Sequence, residues 1–186
     1  MSESDRRISD KYTTIEGFAI HREFENRGRV EIHSEVNINQ NDYNVLLLIS
    51  CVFAKNGQIV QILPKLHFKD ALYKEIFGSL VGSRYEGKCP DLKIGDYFYE
   101  HEGFVSNNPK TNFSNMLRRG LKQSSRLIIE DCGITFDHIK RTCVQRIKES
   151  HMINEVWVLK NDKVEMAFKS KASKSGTPGG FTASNP

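Results

Sequence analysis

The sequence predicts an α+β domain with a mixed central β-sheet flanked by helices. Three observations carry this expectation. Residues 41–63 run from a stretch that is apolar nearly all round, through Asn56-Gly57, into the short apolar run Ile59-Val60-Gln61-Ile62-Leu63, a compact helix-to-strand step. Residues 90–102 alternate polar and apolar about Gly95-Asp96, the signature of a two-residue hairpin turn. Beyond them, stretches with helical spacing of apolar residues alternate with short strand-like runs.

Taken in order, residues 1–16 are polar and are expected to fray. Phe18, Ile20, Phe24, Val30, Ile32 and Val36 form a weak apolar beat around an Arg27-Gly28-Arg29 turn, which makes residues 1–40 an N-terminal arm or appended hairpin. Tyr43, Val45, Leu46, Leu47, Leu48, Ile49, Val52 and Phe53 describe a buried helix with Asn41 as N-cap. The strand after it ends at Pro64. Leu72, Tyr73, Ile76, Phe77 and Leu80 predict a helix over 69–80, bracketed by Gly78 and Gly82. Tyr85-Glu86-Gly87-Lys88 suits a further strand and turn. After the hairpin, a loop through Ser106 to Pro109 leads into a helix over 112–124. Its buried stripe is Phe113, Met116, Leu117, Gly120 and Leu121, and a glycine on that stripe predicts close backbone approach. Residues 126–130 read as a strand and 136–149 as a helix with Phe136, Ile139, Cys143 and Ile147 inward. A hairpin across Asn161-Asp162 completes a domain over 41–169. The Lys, Ser, Gly, Thr and Pro of residues 170–186 predict a disordered tail.

At 186 residues and 38% apolar content, the chain supports one good core and not two. It contains no apolar run of about 18 residues and no signal-peptide stretch, so a cytoplasmic protein without membrane contact is expected. Cys51, Cys89, Cys132 and Cys143 include no Cys-x-x-Cys pair and are read as ordinary reduced cysteines. The net charge is only +4, but it is unevenly spread: residues 1–63 hold 7 Lys or Arg against 9 Asp or Glu, and residues 110–174 hold 14 against 7. A basic half suits a polyanionic partner such as nucleic acid, or is simply a solvated face.

Chemistry concentrates in the hairpin. With Gly95 and Asp96 at the turn, Ile94 pairs with Tyr97, Lys93 with Phe98, Leu92 with Tyr99 and Asp91 with Glu100. Alternation puts Leu92, Ile94, Tyr97, Tyr99 and His101 on the core face and Asp91, Lys93, Phe98, Glu100 and Glu102 on the other. Directly opposed carboxylates sit about 5 Å apart and repel by roughly 3 kcal/mol at an effective dielectric near 20. A divalent cation, a shared proton, nearby Lys or Arg, or solvent screening must offset that cost. His101 is expected to be a hydrogen-bonded interior residue. No phosphate-binding loop, dinucleotide fingerprint or Ser-x-x-Lys nucleophile occurs, which argues against nucleotide cofactors and acyl transfer.

The pattern Pro90-Asp91 followed by Glu100-His101-Glu102 resembles the PD-(D/E)XK nuclease superfamily, in which an aspartate on one strand and an acidic residue on the next hold a divalent metal. The chain departs from it at the last position, where Glu102 stands in place of lysine; Lys122 or Gln123 on the following helix is the expected stand-in. The stretch 51–168, with Ile62-Leu63-Pro64, Lys88-Cys89-Pro90-Asp91-Leu92 and Gly120-Leu121-Lys122-Gln123-Ser124, is also similar to the C-terminal nuclease domains of contact-dependent growth-inhibition toxins and to barnase, EndoU, colicin and RelE-type modules of mobile elements. These resemblances imply a restriction-endonuclease-like or toxin-nuclease-like core, a nucleic-acid substrate (DNA or RNA), and an immunity or inhibitor protein as partner. For hydrolysis, Asp91, Glu100 and Glu102 would be the hard oxygen donors for Mg²⁺ or Mn²⁺. Lys122 would stabilise charge on the phosphorus, and Lys93, Arg118, Arg119 and Gln123 would hold the substrate backbone. A metal-independent ribonuclease would instead need His101, Arg84 or Arg119 as acid or base, and Glu86 is an outlying extra ligand. The plain alternatives are a catalytically silent nucleic-acid- or protein-binding module on the same scaffold, or an acidic face beside a basic helix with surface ion pairs of about 0–1 kcal/mol each.

Overall fold

The computed structural model describes residues 17–103, 108–149 and 151–171. The segment expected to fray, most of the expected tail and part of the loop before residue 109 lie outside these residues. Eight strands form one mixed sheet in sequence order: β1 (Phe18–Glu23), β2 (Arg29–His33), β3 (Ile59–Ile62), β4 (Leu92–Ile94), β5 (Tyr97–Glu102), β6 (Arg126–Glu130), β7 (Glu155–Lys160) and β8 (Lys163–Lys169). Three neighbouring pairs are parallel, and parallel strands need a crossover. Each crossover carries a helix: α1 (Tyr43–Lys55) between β2 and β3, α3 (Pro109–Gly120) between β5 and β6, and α4 (Phe136–Lys148) between β6 and β7. β3 and β4 are antiparallel neighbours separated by a long excursion that carries α2 (Ala71–Phe77) and a 3-10 turn (Gly78–Leu80). The hairpin expected near residues 17–38 is present as β1 and β2. It is an integral part of the sheet and not an appendage, because β2 pairs in parallel with β3 from Arg29↔Ile59 to Ile32↔Ile62.

The two faces of the sheet are covered differently. Under α1, Leu46, Ile49 and Phe53 pack on Val60, Ile62, Leu92, Ile94, Tyr99 and Trp157 in one apolar cluster. On the opposite face α3 and α4 contribute Phe113, Met116, Leu117, Ile139 and Cys143 over Leu127, Ile129, Val156 and Val158. A third cluster on that same face gathers Phe18, Leu63, Tyr73, Phe77 and Phe98 beneath α2. Phe98 belongs to the α2 cluster and Leu127 to the α3–α4 cluster, and Glu100 lies between them, two residues after Phe98 and paired with Leu127. The acidic strand thus crosses the seam where two apolar clusters part.

Helix ends moved relative to expectation, for local reasons. α3 begins early because Asn108 accepts from the Thr111 N–H at 3.1 Å and Pro109 occupies the first turn, where its missing donor is harmless. It ends at Gly120, so Lys122 and Gln123 sit on the turn after the helix instead of in it. A methyl group on Gly120 would meet Leu127 Cδ2 at 2.7 Å and Glu102 Cγ at 3.2 Å, which is the close helix–sheet approach that the glycine predicts. The N-cap of α1 is Asp42 and not Asn41, and it makes no side-chain cap bond. Tyr85 to Lys88 form turns and not a strand. No helix among the described residues is long and apolar enough to cross a membrane.

Candidate functional site

The hairpin register matches the alternation, with Leu92↔Tyr99, Lys93↔Phe98 and Ile94↔Tyr97. The ladder stops at Leu92, so the predicted backbone pairing of Asp91 with Glu100 does not form. The Asp91 carbonyl turns instead to β3, accepting from the Leu63 N–H at 2.9 Å. Its side chain reaches across to β5, where Oδ2 accepts from the His101 N–H at 2.9 Å. Three residues beyond the end of β3, the Lys65 ammonium donates to Asp91 Oδ1 at 2.7 Å and to the Cys89 carbonyl at 2.6 Å. Asp91 is 4% exposed and Glu100 8%, so both carboxyl groups lie below the surface.

Burial drives the Glu100 pKa upward, and the neighbouring Asp91 adds to this; Lys65 opposes both, and the carboxyl is pushed up to about 9. The Glu100 carboxyl therefore keeps its proton at neutral pH. Burial works against the Lys65 charge, but Asp91 and Glu100 together outweigh it and raise its pKa. Two of the four offsets open to an acidic pair are thus at work, a proton, held by Glu100, and a lysine. Glu100 Oε2 is buried without a hydrogen-bond partner of its own, as is His101 Nε2 on the other face, and the Asp91 carboxyl is the polar group that acts on Glu100 most directly. The other buried acid of the sheet contrasts with it. Glu155, 1% exposed, accepts from Tyr99 Oη at 2.7 Å and Trp157 Nε1 at 3.2 Å, with Arg126 Nε at 3.8 Å. Glu155 is a satisfied core residue; Glu100 is not.

Glu102 lies two residues farther along β5, on the same face, but is turned to α3. Its Oε2 accepts from Arg119 Nε at 2.7 Å, and Arg119 Nη2 also donates to the Gly103 carbonyl at 2.7 Å. Burial raises the Glu102 pKa more than Arg119 lowers it. Among the described residues no three His, Cys, Asp or Glu side chains converge as a metal-holding group. The expected three-carboxylate set is therefore corrected to a pair, Asp91 and Glu100, because Arg119 claims the third member.

The other expected site residues are dispersed. Lys122 is exposed and lines a cavity of about 350 Å³ together with Arg84, Lys88, Arg118, Arg146 and His151. The cation beside the acids is Lys65, and Arg119 is a partner of Glu102 before it is anything else. Lys93 is half-buried on β4 opposite Gln61 and Phe98, two residues from Asp91 toward the turn. Gln123 is half-buried on the turn after α3. His101 lies on the far face, 7% exposed, as expected of an interior residue, but its ring is not the hydrogen-bonded one expected: Nε2 is buried without a hydrogen-bond partner, 3.6 Å from Glu130 Oε1. Glu86 is exposed and accepts from the Gly82 N–H at 3.0 Å, away from the pair. Sequence reasoning missed Lys65. Its position directly after the strand-ending Pro64 was visible, but its role depends on β3 lying beside β4, which no local pattern specifies.

Compared with known protein families, with curated proteins and with solved structures, the chain has no match.

Proposed function

We propose that this protein cleaves phosphodiester bonds in nucleic acid, with Asp91 and Glu100 as the ligands of a divalent cation, Mg²⁺ or Mn²⁺. The observation that carries the reading is the buried, partnerless Oε2 of Glu100 beside Asp91. Hard carboxylate oxygens suit these ions, and an acceptor without a donor is open to a cation. The ion, when bound, supplies a Lewis acid and an acidified water. The chain's own residues would do the rest. Asp91 is held rigid by the His101 N–H and Lys65, so the ligand geometry is fixed before binding. Glu100 must give up its proton to act as a ligand. Lys65, 2.7 Å from Asp91, would then face the phosphoryl oxygens and stabilise charge that grows on them in the transition state, taking the part expected of Lys122.

The order of elements also supports the PD-(D/E)XK resemblance: an aspartate heading one hairpin strand, acidic residues on the next, a crossover helix, then a strand parallel to the acidic one. The position where that pattern has lysine is held by Glu102, and Lys65 provides the ammonium from the neighbouring strand end. A toxin or mobile-element origin, with an immunity protein as partner, belongs to the same proposal and follows from the resemblance alone.

One observation favours a second reading, a silent nucleic-acid-binding module: Glu102 is sequestered by Arg119, which leaves two carboxylates where three were expected. Titration calorimetry with Mn²⁺ separates the two. Binding that disappears in Asp91→Ala, together with Mn²⁺-dependent cleavage of single- or double-stranded DNA or RNA, supports the enzyme. No heat in the wild-type protein at alkaline pH would leave the silent module, and cleavage in EDTA would point to a metal-independent ribonuclease.

A further inference from the structure

Five Lys or Arg side chains and one His come together around the cavity beside α3, and no acidic residue is among the nine that line it. They come from separate parts of the chain: Arg84 and Lys88 from the turns before β4, Arg118 from α3, Lys122 from the turn after it, and Arg146 and His151 from the end of α4 and just beyond. Only Arg146 has a carboxylate partner among the described residues, an exposed contact with Glu149 at 3.5 Å. Arg118 is 3.5 Å from the neutral Asn115, and Arg84 stacks over the Tyr85 ring at 5.6 Å. Tyr85 is buried in the same wall.

Clustered cations without counter-charges raise one another's energy, and an anion that enters relieves the repulsion. At about 350 Å³ the cavity is the size of a pocket for a nucleotide-sized group. It also adjoins the acidic pair along the chain at Lys88, and Arg118 neighbours the residue that holds the third carboxylate. Lys88 precedes Asp91 by Cys89 and Pro90 only, and Arg118, which lines the cavity, is followed by Arg119, which grips Glu102.

We propose that this cavity is a phosphate-binding subsite that anchors a nucleic-acid strand through a phosphate next to the one presented to Asp91 and Glu100. The proposal rests on the phosphodiesterase reading for that second phosphate, but the anchor itself needs no metal. The subsite takes either an internal phosphodiester or a terminal phosphomonoester, since both offer the same oxygens to the same cations.

The test is fluorescence anisotropy of the full chain with a short labelled single-stranded oligonucleotide, DNA or RNA, in EDTA. The double variant Arg118→Glu/Arg146→Glu should bind at least about tenfold more weakly. The slope of log affinity against log salt should fall by about 1.4, two contacts at about 0.7 each. Lys55→Glu/Lys163→Glu, which makes the same change in net charge at exposed positions elsewhere, should lose less than about threefold. Circular dichroism shows whether the reversals fold, and Arg118→Gln/Lys122→Gln is the milder pair if they do not, with weaker binding again expected. Equal losses in the cavity and control variants, or no loss in the cavity variants, would overturn the proposal. A preference for 5′-phosphorylated over 5′-hydroxyl strands that vanishes in the cavity variants supports it with a terminal phosphate as ligand; equal affinity for the two strands, with the same overall weakening in the cavity variants, supports it with an internal one. Asp91→Asn should leave this binding intact while abolishing Mn²⁺ heat. Failure of the subsite therefore shows in EDTA, and failure of the metal site shows in calorimetry, independently of each other.

Discussion

If Asp91 and Glu100 hold a divalent cation as proposed, the proton on Glu100 makes that binding a pH-linked event with a definite sign. With the Glu100 pKa pushed up to about 9, a cation arriving at neutral pH meets a protonated ligand. At pH 7 the solution is about two units below that pKa, so displacing the proton costs about 3 kcal/mol, a factor of about 100 in apparent affinity relative to the ionised site. The apparent Mn²⁺ affinity should therefore rise about tenfold per pH unit between about pH 6 and about pH 8 and level off above about 9. Titration calorimetry in two buffers of different ionisation enthalpy reads the same event directly, as one proton released per ion bound. Glu100→Gln should bind no Mn²⁺ at any pH. If the wild-type protein binds Mn²⁺ with an affinity that is flat across this range and releases no proton, Glu100 is not a ligand and the site has been misread.

Three further outcomes follow from the same contacts. Because the folded chain holds the Glu100 proton more tightly than the unfolded chain, its stabilising contribution is full below about pH 4.5 and is lost as pH rises toward about 9; Glu100→Gln, which keeps the neutral form, should gain in Tm over wild type progressively across that window, and a pH-independent difference would contradict the raised pKa. Lys65→Met should slow Mn²⁺-dependent cleavage by about 100-fold, the usual loss for a group that stabilises transition-state charge, while Mn²⁺ affinity in calorimetry holds or improves for want of a competing cation; undiminished cleavage would remove Lys65 from the proposal. Gly120→Ala pushes a methyl group to 2.7 Å from Leu127 Cδ2 and should destabilise the fold by about 1–3 kcal/mol in denaturant titration, as overpacking does; a neutral result would mean that α3 does not sit this close to the sheet.

What was legible in the sequence is what depends on neighbours along the chain. The turn at Gly95-Asp96 fixed the pairing of Leu92 with Tyr99 and hence which side chains share a face, because strand side chains alternate without exception in an unbroken ladder. The same logic placed His101 in the interior and put Asp91, Glu100 and Glu102 together on the other side. The side-chain partners were not legible, because they are chosen across elements. Lys65 reaches Asp91 only because β3 and β4 are neighbours despite the long excursion between them. Arg119 takes Glu102 because Gly120 lets α3 settle onto β5 and β6. The basic second half of the chain was visible as composition, but the cavity also draws on Arg84 and Lys88, which lie outside that half.

The choice between a working site and a silent scaffold turns on what it costs to keep Glu100 as it is. A buried polar atom without a partner costs about 1–3 kcal/mol, a sizeable share of the roughly 5–15 kcal/mol that holds a domain folded. The sheet contains its own comparison: Glu155, deeper still, is surrounded by Tyr99, Trp157 and Arg126, so its burial is compensated. Packing gives no reason for Glu100 to be acidic, since its strand neighbour two residues earlier is Phe98 and its cross-strand partner is Leu127, both members of apolar clusters. An apolar side chain there would join those clusters across the seam. On a scaffold with no chemistry to perform, the carboxyl is a pure loss; beside Asp91 and Lys65, a cation taking the proton's place, as we propose, would offset that cost.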